Sequence, residues 1–340
     1  MEPDPIWIRW GIWFGECGDI WGYIIYRMPT NTISNRKEKL PAPMLMIGAT
    51  LFFATMGMCV KFASADYGTG EIVFYRGIVG AAMIGLITRM SGETLRTNLP
   101  AMHAWRSLTG VSALGLWFYA IGELPLATAV TLNYMSPIWM ALLLIGGSVL
   151  IGRGRVDARL VCTVLVGFIG VVCILQPTME HHQLWGGLMG LLSGLLAAMA
   201  YLQVTALGRA GEPEARIVFY LSVGSIGAGA LETSFISGWH AHTPHGLGML
   251  LGVGVLATLA QLMMTRAYRT GGTLVNASLQ YLGIGWSLLY GVLLFDDPIT
   301  GLALLGMGLI AMAGIAAARL RQSVTPVNSM AKSGTYSEIP

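Results

Sequence analysis

Two amide–tyrosine pairs, Asn133-Tyr134 and Gln280-Tyr281, lie 147 residues apart inside long apolar runs. An amide cannot rest against lipid, so each pair must face a protein interior or trapped water. Pro137 lacks a backbone N–H, and its ring clashes with the carbonyl four residues earlier, which belongs to Asn133. A kink there would place a freed backbone acceptor beside a side-chain amide. The second run has Ile284 in the proline's place, flanked by Gly283 and Gly285, which would soften a helix instead. Such pairs either contact a polar solute or bond helix to helix, the latter worth about 0.6–2 kcal/mol.

Lys61 and Arg76 are cations inside apolar segments, and Glu71 precedes Arg76 by five residues, about 7.5 Å along a helix. A charge at that depth must be paired or wetted. One reading has Lys61 or Arg76 attracting a carboxylate, or Arg76 closing an outer gate by pairing with Glu71. The other is a structural ion pair, with Lys61 snorkelling outward. Glu71 is the carboxylate placed to carry a coupling proton. Trp117, Tyr119, Trp139, Trp286 and Tyr290 would wall a flat or cationic substrate, or anchor and pack helices. Gln203 and Gln261 are lone amides in further spans, and Gly186, Gly190 and Gly194 recur at the spacing of close helix contact. His181, His182, His240, His242 and His245 fall in loops on one side, where "HAHTPH" fits no tight metal site and reads as solvated. No cofactor is expected. The four cysteines form no ligand pattern and read as small hydrophobes.

The elements that must position these residues follow from composition. The chain has 340 residues, 54% hydrophobic and only 11% charged, with 45 Gly and 20 Met. Its mean hydropathy is +0.64. A soluble domain carries about 25% charge, because its surface must face water. These values exclude disorder, a disulfide scaffold and, with a net charge of only +3, a nucleic-acid binder. A crossing needs about 20 apolar residues. That ruler predicts ten spans, at 44–65, 71–88, 104–122, 126–150, 158–176, 184–207, 215–232, 246–266, 273–295 and 298–318.

Alternating the loops puts every Lys and Arg except Lys61 and Arg76 on one side, Arg106 among them, while the other side carries Asp66, Glu123, Glu180, Asp296 and Asp297. The positive-inside rule then makes both termini cytoplasmic. Residues 1–43 form an aromatic but charge-broken extension, read as an interfacial helix or the product of an upstream start, with Met28 or Met44 as the true one. Residues 319–340 read as a disordered cytoplasmic tail.

The two halves repeat. "IVFY" occurs at 72–75 and 217–220, and 120–139 aligns with 267–286, pairing Tyr134 with Tyr281 and Trp139 with Trp286. Five spans per copy would force the second copy to run upside down, the plan of many secondary transporters. The layout resembles the EamA branch of the drug/metabolite transporter superfamily. The resemblance rests on a lysine late in the first span (Lys61), the Glu71-to-Arg76 spacing, and "LPLATAVTLNYMSPIW". It covers about residues 44–318.

It implies an all-α integral membrane protein of two inverted five-helix repeats, 44–176 and 184–318, in a bacterial inner membrane. The expected activity is secondary transport of a small polar metabolite (an amino acid, amine or related solute) by a non-enzyme that works as a monomer or weak homodimer. Substrate contacts are expected from Asn133, Tyr134, Gln280, Tyr281, Trp117, Tyr119, Arg76, Lys61, Gln203 and Trp286. Glu71, Pro137, Gly283 and Gly285 would gate. The alternatives are an intramembrane enzyme, which would need a nucleophile with a nearby base although no HExxH, GxSxG or Walker pattern is present, and a lipid scramblase or flippase.

Overall fold

A computed structural model describes residues 41–92, 94–150, 158–175, 181–270, 276 and 279–323. Most of the N-terminal extension and residues 324–340 lie outside them. Among the described residues every regular element is helical. In chain order these are α1 (Ala42–Ala63), α2 (Thr69–Ser91), α3 (Pro100–Glu123), α4 (Leu126–Asn133), α5 (Ser136–Leu150), α6 (Ala158–Leu175), α7 (His181–Arg209), α8 (Glu214–Glu232), a π-helical turn (Thr233–Ser237), α9 (Pro244–Thr270), α10 (Leu282–Phe295) and α11 (Gly301–Ser323).

Six helical stretches among the described residues are long and apolar enough to cross a membrane: α1, α2, Leu126–Leu143, Gln183–Arg209, Glu214–Ser237 and α9. At a rise of 1.5 Å per residue the 22 residues of α1 extend about 33 Å, the thickness of a hydrocarbon core. Prolines start α1 and α3 at a first-turn position, where the absent N–H costs nothing. The exterior is apolar: Leu86, Met90, Leu108, Phe235, Leu293 and Met312 are all exposed. Backbone groups satisfied within helices and an apolar outer face are what lipid requires. The chain is a multi-pass membrane protein.

The bundle is built from paired helices. α1 packs on α9, α3 on α7, α2 on α8 and α6 on α11. Smaller contacts join α10 to α1, α4 and α5 to α7, and α4 to α10. The buried core is continuous, from Met46 and Met56 on α1 through Phe118 and Leu132 to Leu207, Leu221 and Met264.

Two breaks interrupt this packing. The expected single span 126–150 is two helices, with Tyr134 and Met135 between them. Tyr134 N–H still reaches the Val130 carbonyl (2.9 Å), whereas Met135 N–H tightens to Leu132 (3.2 Å), and Pro137 has no N–H to give. The second break falls at Gln280–Tyr281, where Gly283 N–H bonds the Gln280 carbonyl (2.9 Å) and Ile284 N–H that of Tyr281 (3.1 Å). It therefore lies ahead of the expected bend at Gly283–Gly285. Gly283 serves instead as a contact, since a Cβ there would overlap the Tyr134 ring, and Gly285 faces open space.

The glycine stripe of α7 is packing. Side chains at Gly186 and Gly190 would press on Leu124 and Leu132, and one at Gly194 would stand 2.9 Å from both the Leu132 and Asn133 carbonyl oxygens. The carbonyl that Pro137 displaces is thus covered by bare backbone.

Candidate substrate cavity

Between the two breaks the bundle holds a partly open cavity, about 580 Å³ of empty space counting its open mouth. Its wall draws on α1 (Thr50, Phe53), α3, the end of α4 (Asn133, Tyr134), α7, α9 (Gln261) and Gln280. The α3 face is one helical stripe of Arg106, Gly110, Ala113 and Trp117, in steps of three or four residues. The α7 face continues the glycine stripe through Ala197 to Tyr201.

Arg106 corrects the sequence reading. It is not in a cytoplasmic loop but in the second turn of α3, only 2% exposed, and it lines the cavity. Its Nε and Nη1 have no hydrogen-bond partner among the described residues. A side chain at Gly110 would overlap the guanidinium, so that glycine is what admits it. Tyr201, also missed from the sequence, lies beside Arg106 and Gln280 and stacks on Tyr268 at 5.7 Å.

Of the expected substrate contacts, the cavity brings together Trp117, Asn133, Tyr134 and Gln280. Asn133 Nδ2 donates to Ser193 Oγ at 2.9 Å. Gln280 Oε1 and Trp117 Nε1 are buried without a partner among the described residues. Trp117 meets Phe53 edge-on at 6.4 Å. The other expected contacts lie elsewhere. Tyr281 is buried against Gly314 and edge-on to Tyr134 at 6.5 Å. Gln203 Oε1 accepts from Thr109 Oγ1 at 2.9 Å. Tyr119 is 37% exposed and turns outward. Trp286 is half-buried on α10, away from the cavity wall, and Tyr290 shares a 3.0 Å hydrogen bond with Thr55. Trp139 packs edge-on against Phe168.

The expected Glu71–Arg76 pair does not form. Arg76 Nη1 donates to Ser225 Oγ at 3.2 Å. Glu71, fully buried, accepts from the His240 backbone N–H (3.3 Å), with His240 Nδ1 at 2.8 Å and His242 Nε2 at 3.6 Å. The histidine loop is exposed along 238–245, as a solvated loop is, yet two of its side chains reach back to this carboxylate. His242 packs on the rings of Tyr67 and Tyr75, and Trp239 meets Phe74 edge-on. Burying a carboxylate demands partners, and this loop supplies them.

Lys61 is likewise engaged. Its Nζ donates to Asp297 Oδ1 at 2.7 Å and to the Leu124 carbonyl at 3.3 Å, and lies 4.8 Å from the centre of the Phe295 ring. Asp297 Oδ2 accepts from the Leu126 N–H, capping the start of α4 (2.8 Å). Asp296, at φ 48°, turns the chain into this position, a conformation that aspartate tolerates.

The opposite end has its own cluster. Glu212, 5% exposed, accepts from Thr97 Oγ1 and Arg216 Nη1 (2.8 Å each), with His103 Nε2 at 3.3 Å. Arg216 also donates to the Thr94 carbonyl (2.8 Å). Burial raises the Glu212 carboxyl, but the hydrogen bonds from Arg216 and Thr97, with the close approach of His103, outweigh it and hold it below the usual carboxylate range.

A helical membrane bundle with a central, largely apolar cavity set with a few polar side chains defines a class, and comparison with known proteins supplies the family. The EamA-like transporter family model matches residues 40–176. The pseudopaline exporter CntI of Pseudomonas aeruginosa is 30% identical over 280 residues, 82% of this chain and 96% of that one. A riboflavin transporter of Rhizobium johnstonii is 28% identical over 265 residues, covering 77% and 82%. An S-adenosylmethionine uptake transporter of Rickettsia bellii is 20% identical over 241 residues, covering 70% and 79%. A crystal structure aligns over 84% of this chain and 99% of its own with a TM-score of 0.61 at 16% identity, a likeness of fold alone. The chain belongs to the EamA-like transporter family.

Proposed function

We propose that the protein is a secondary transporter that moves a small polar metabolite through the central cavity by alternating access, and is not an enzyme. The observation that carries this reading is the set of polar side chains in an otherwise apolar cavity wall, drawn from both halves of the chain beside the two helix breaks, Asn133 and Gln280. An inverted pair of five-span repeats accounts for this arrangement. Exchanging spans one to five for six to ten maps the α1–α9 contact onto α3–α7 and leaves α2–α8 and α6–α11 paired with themselves. The two breaks lie 146 residues apart, within one residue of the 147 that relates Asn133 to Gln280. Such breaks at a repeat interface are where transporters hold substrate.

In this reading the basic loop side and both termini face the cytoplasm of a bacterial cell, and the protein works as a monomer or weak homodimer in lipid. The Lys61–Asp297 and Glu71–His240 contacts close the outer end, and the Glu212 cluster closes the inner end. Opening either end breaks one set while the other holds. The relatives named above are a pseudopaline exporter, a riboflavin transporter and an S-adenosylmethionine uptake transporter, so a metabolite is the expected cargo. The test is counterflow in sealed vesicles. Trans-loaded solute must accelerate uptake of its labelled copy, and Gln280→Ala must cut that exchange by about tenfold or more. Turnover of the solute in detergent solution would favour an enzyme, and lipid flip without solute exchange a scramblase.

A further inference from the structure

We infer that the transported solute is an organic carboxylate, held at Arg106 by its carboxyl group with an apolar or aromatic body against Trp117 and Tyr201. This deepens the transporter reading and rests on it. Arg106 is a cation buried at 2% exposure in the wall of the cavity, with Nε and Nη1 unpartnered among the described residues. Burying a charge in a membrane bundle is costly unless an opposite charge meets it.

The protein's own acids are committed elsewhere. Among the described residues the two buried carboxylates are Glu71 and Glu212. The first is taken by His240 and His242, the second by Arg216, Thr97 and His103. The second buried guanidinium, Arg76, is close enough for its charge to act together with that of Arg106, which makes the interior more positive. A cationic solute would enter against both charges.

The form of the donor narrows the anion. A guanidinium is a planar fork that matches a carboxylate with two parallel hydrogen bonds. Arg106 is the cationic side chain in the cavity wall, and the groups around it that can hydrogen-bond, the amides Asn133, Gln261 and Gln280, the hydroxyls of Thr50, Tyr134 and Tyr201 and Trp117 Nε1, are all neutral. One positive charge balances a monoanion. A phosphate dianion calls for more cation than this wall supplies. Trp117 and Tyr201 give the rest of the solute a flat apolar surface.

The experiment uses the full chain in detergent and four probes of similar size. They are N-acetyl-phenylalanine, its carboxamide, phenyl phosphate and phenethylamine, with affinity read by calorimetry. The wild-type protein should bind the acid about tenfold or more tighter than the amide, as a charge-assisted pair implies. Arg106→Gln should bring acid and amide within about twofold, and Arg106→Lys should keep part of the preference. The wild-type comparison stands even where a variant fails to fold. Equal affinity for acid and amide, binding of neither, or preference for the phosphate or the amine overturns the inference. Counterflow by wild-type vesicles judges the transporter reading separately, so carriage without carboxylate preference sinks this inference alone.

Discussion

Gln280 is buried, yet its side-chain oxygen accepts no hydrogen bond among the described residues. Truncating it gives up the amide's contact with the Tyr201 hydroxyl but strands no donor that the oxygen served. Gln280→Ala should leave the unfolding temperature within a few degrees of wild type while uptake falls by about tenfold or more, the loss of one good polar contact. Parallel loss of stability and flux would make Gln280 a packing residue. Lys61→Met should behave in the opposite way. It strands Asp297 and loosens the start of α4, so the unfolding temperature should fall, as thermal denaturation in detergent would show. The amides and Trp117 were legible in the sequence, because polar and large aromatic types inside apolar runs demand an interior. Arg106 was not, because a basic residue near a span end reads as loop. Its signal was there, since it precedes Trp117 by eleven residues, three helical turns, on the same stripe.

At the scale of the element, the break between α4 and α5 depends on α7 coming close enough to cover the displaced Asn133 carbonyl. Gly194→Ala sets a methyl 2.9 Å from two backbone oxygens that have no rotamer to change. The expected cost is about 1–3 kcal/mol, visible as a lower unfolding temperature. Gly285→Ala is the control. Nothing lies near a Cβ there, so stability should hold or rise slightly. Pro137 made the first break readable as a kink. The second, which has no proline, was expected at the glycines and falls instead at Gln280–Tyr281. Gly283 is bare because Tyr134 approaches it from another helix, a tertiary reason that local sequence does not carry. The exposure of the histidine loop was legible, but its contact with Glu71 was not, since that partner is 169 residues distant.

For the molecule as a whole, the two ends differ in what holds them. Glu212 has a carboxyl pKa below the ordinary range, so the folded state favours its charged form. Its contribution is complete above the ordinary carboxylate range and is lost as pH falls through the lowered value. Thermal unfolding in detergent should weaken on that acid side, and Glu212→Gln should flatten the dependence. The central claim is that one cavity is reached from each side in turn. Ala197 lines it on α7. The direct measurement places Ala197→Cys in a chain whose Cys17, Cys59, Cys162 and Cys173 are serine, and labels it in sealed vesicles with an impermeant maleimide. The account predicts labelling when reagent is supplied on either face, slowed by bound solute. Labelling from one face alone, or from neither, would contradict it.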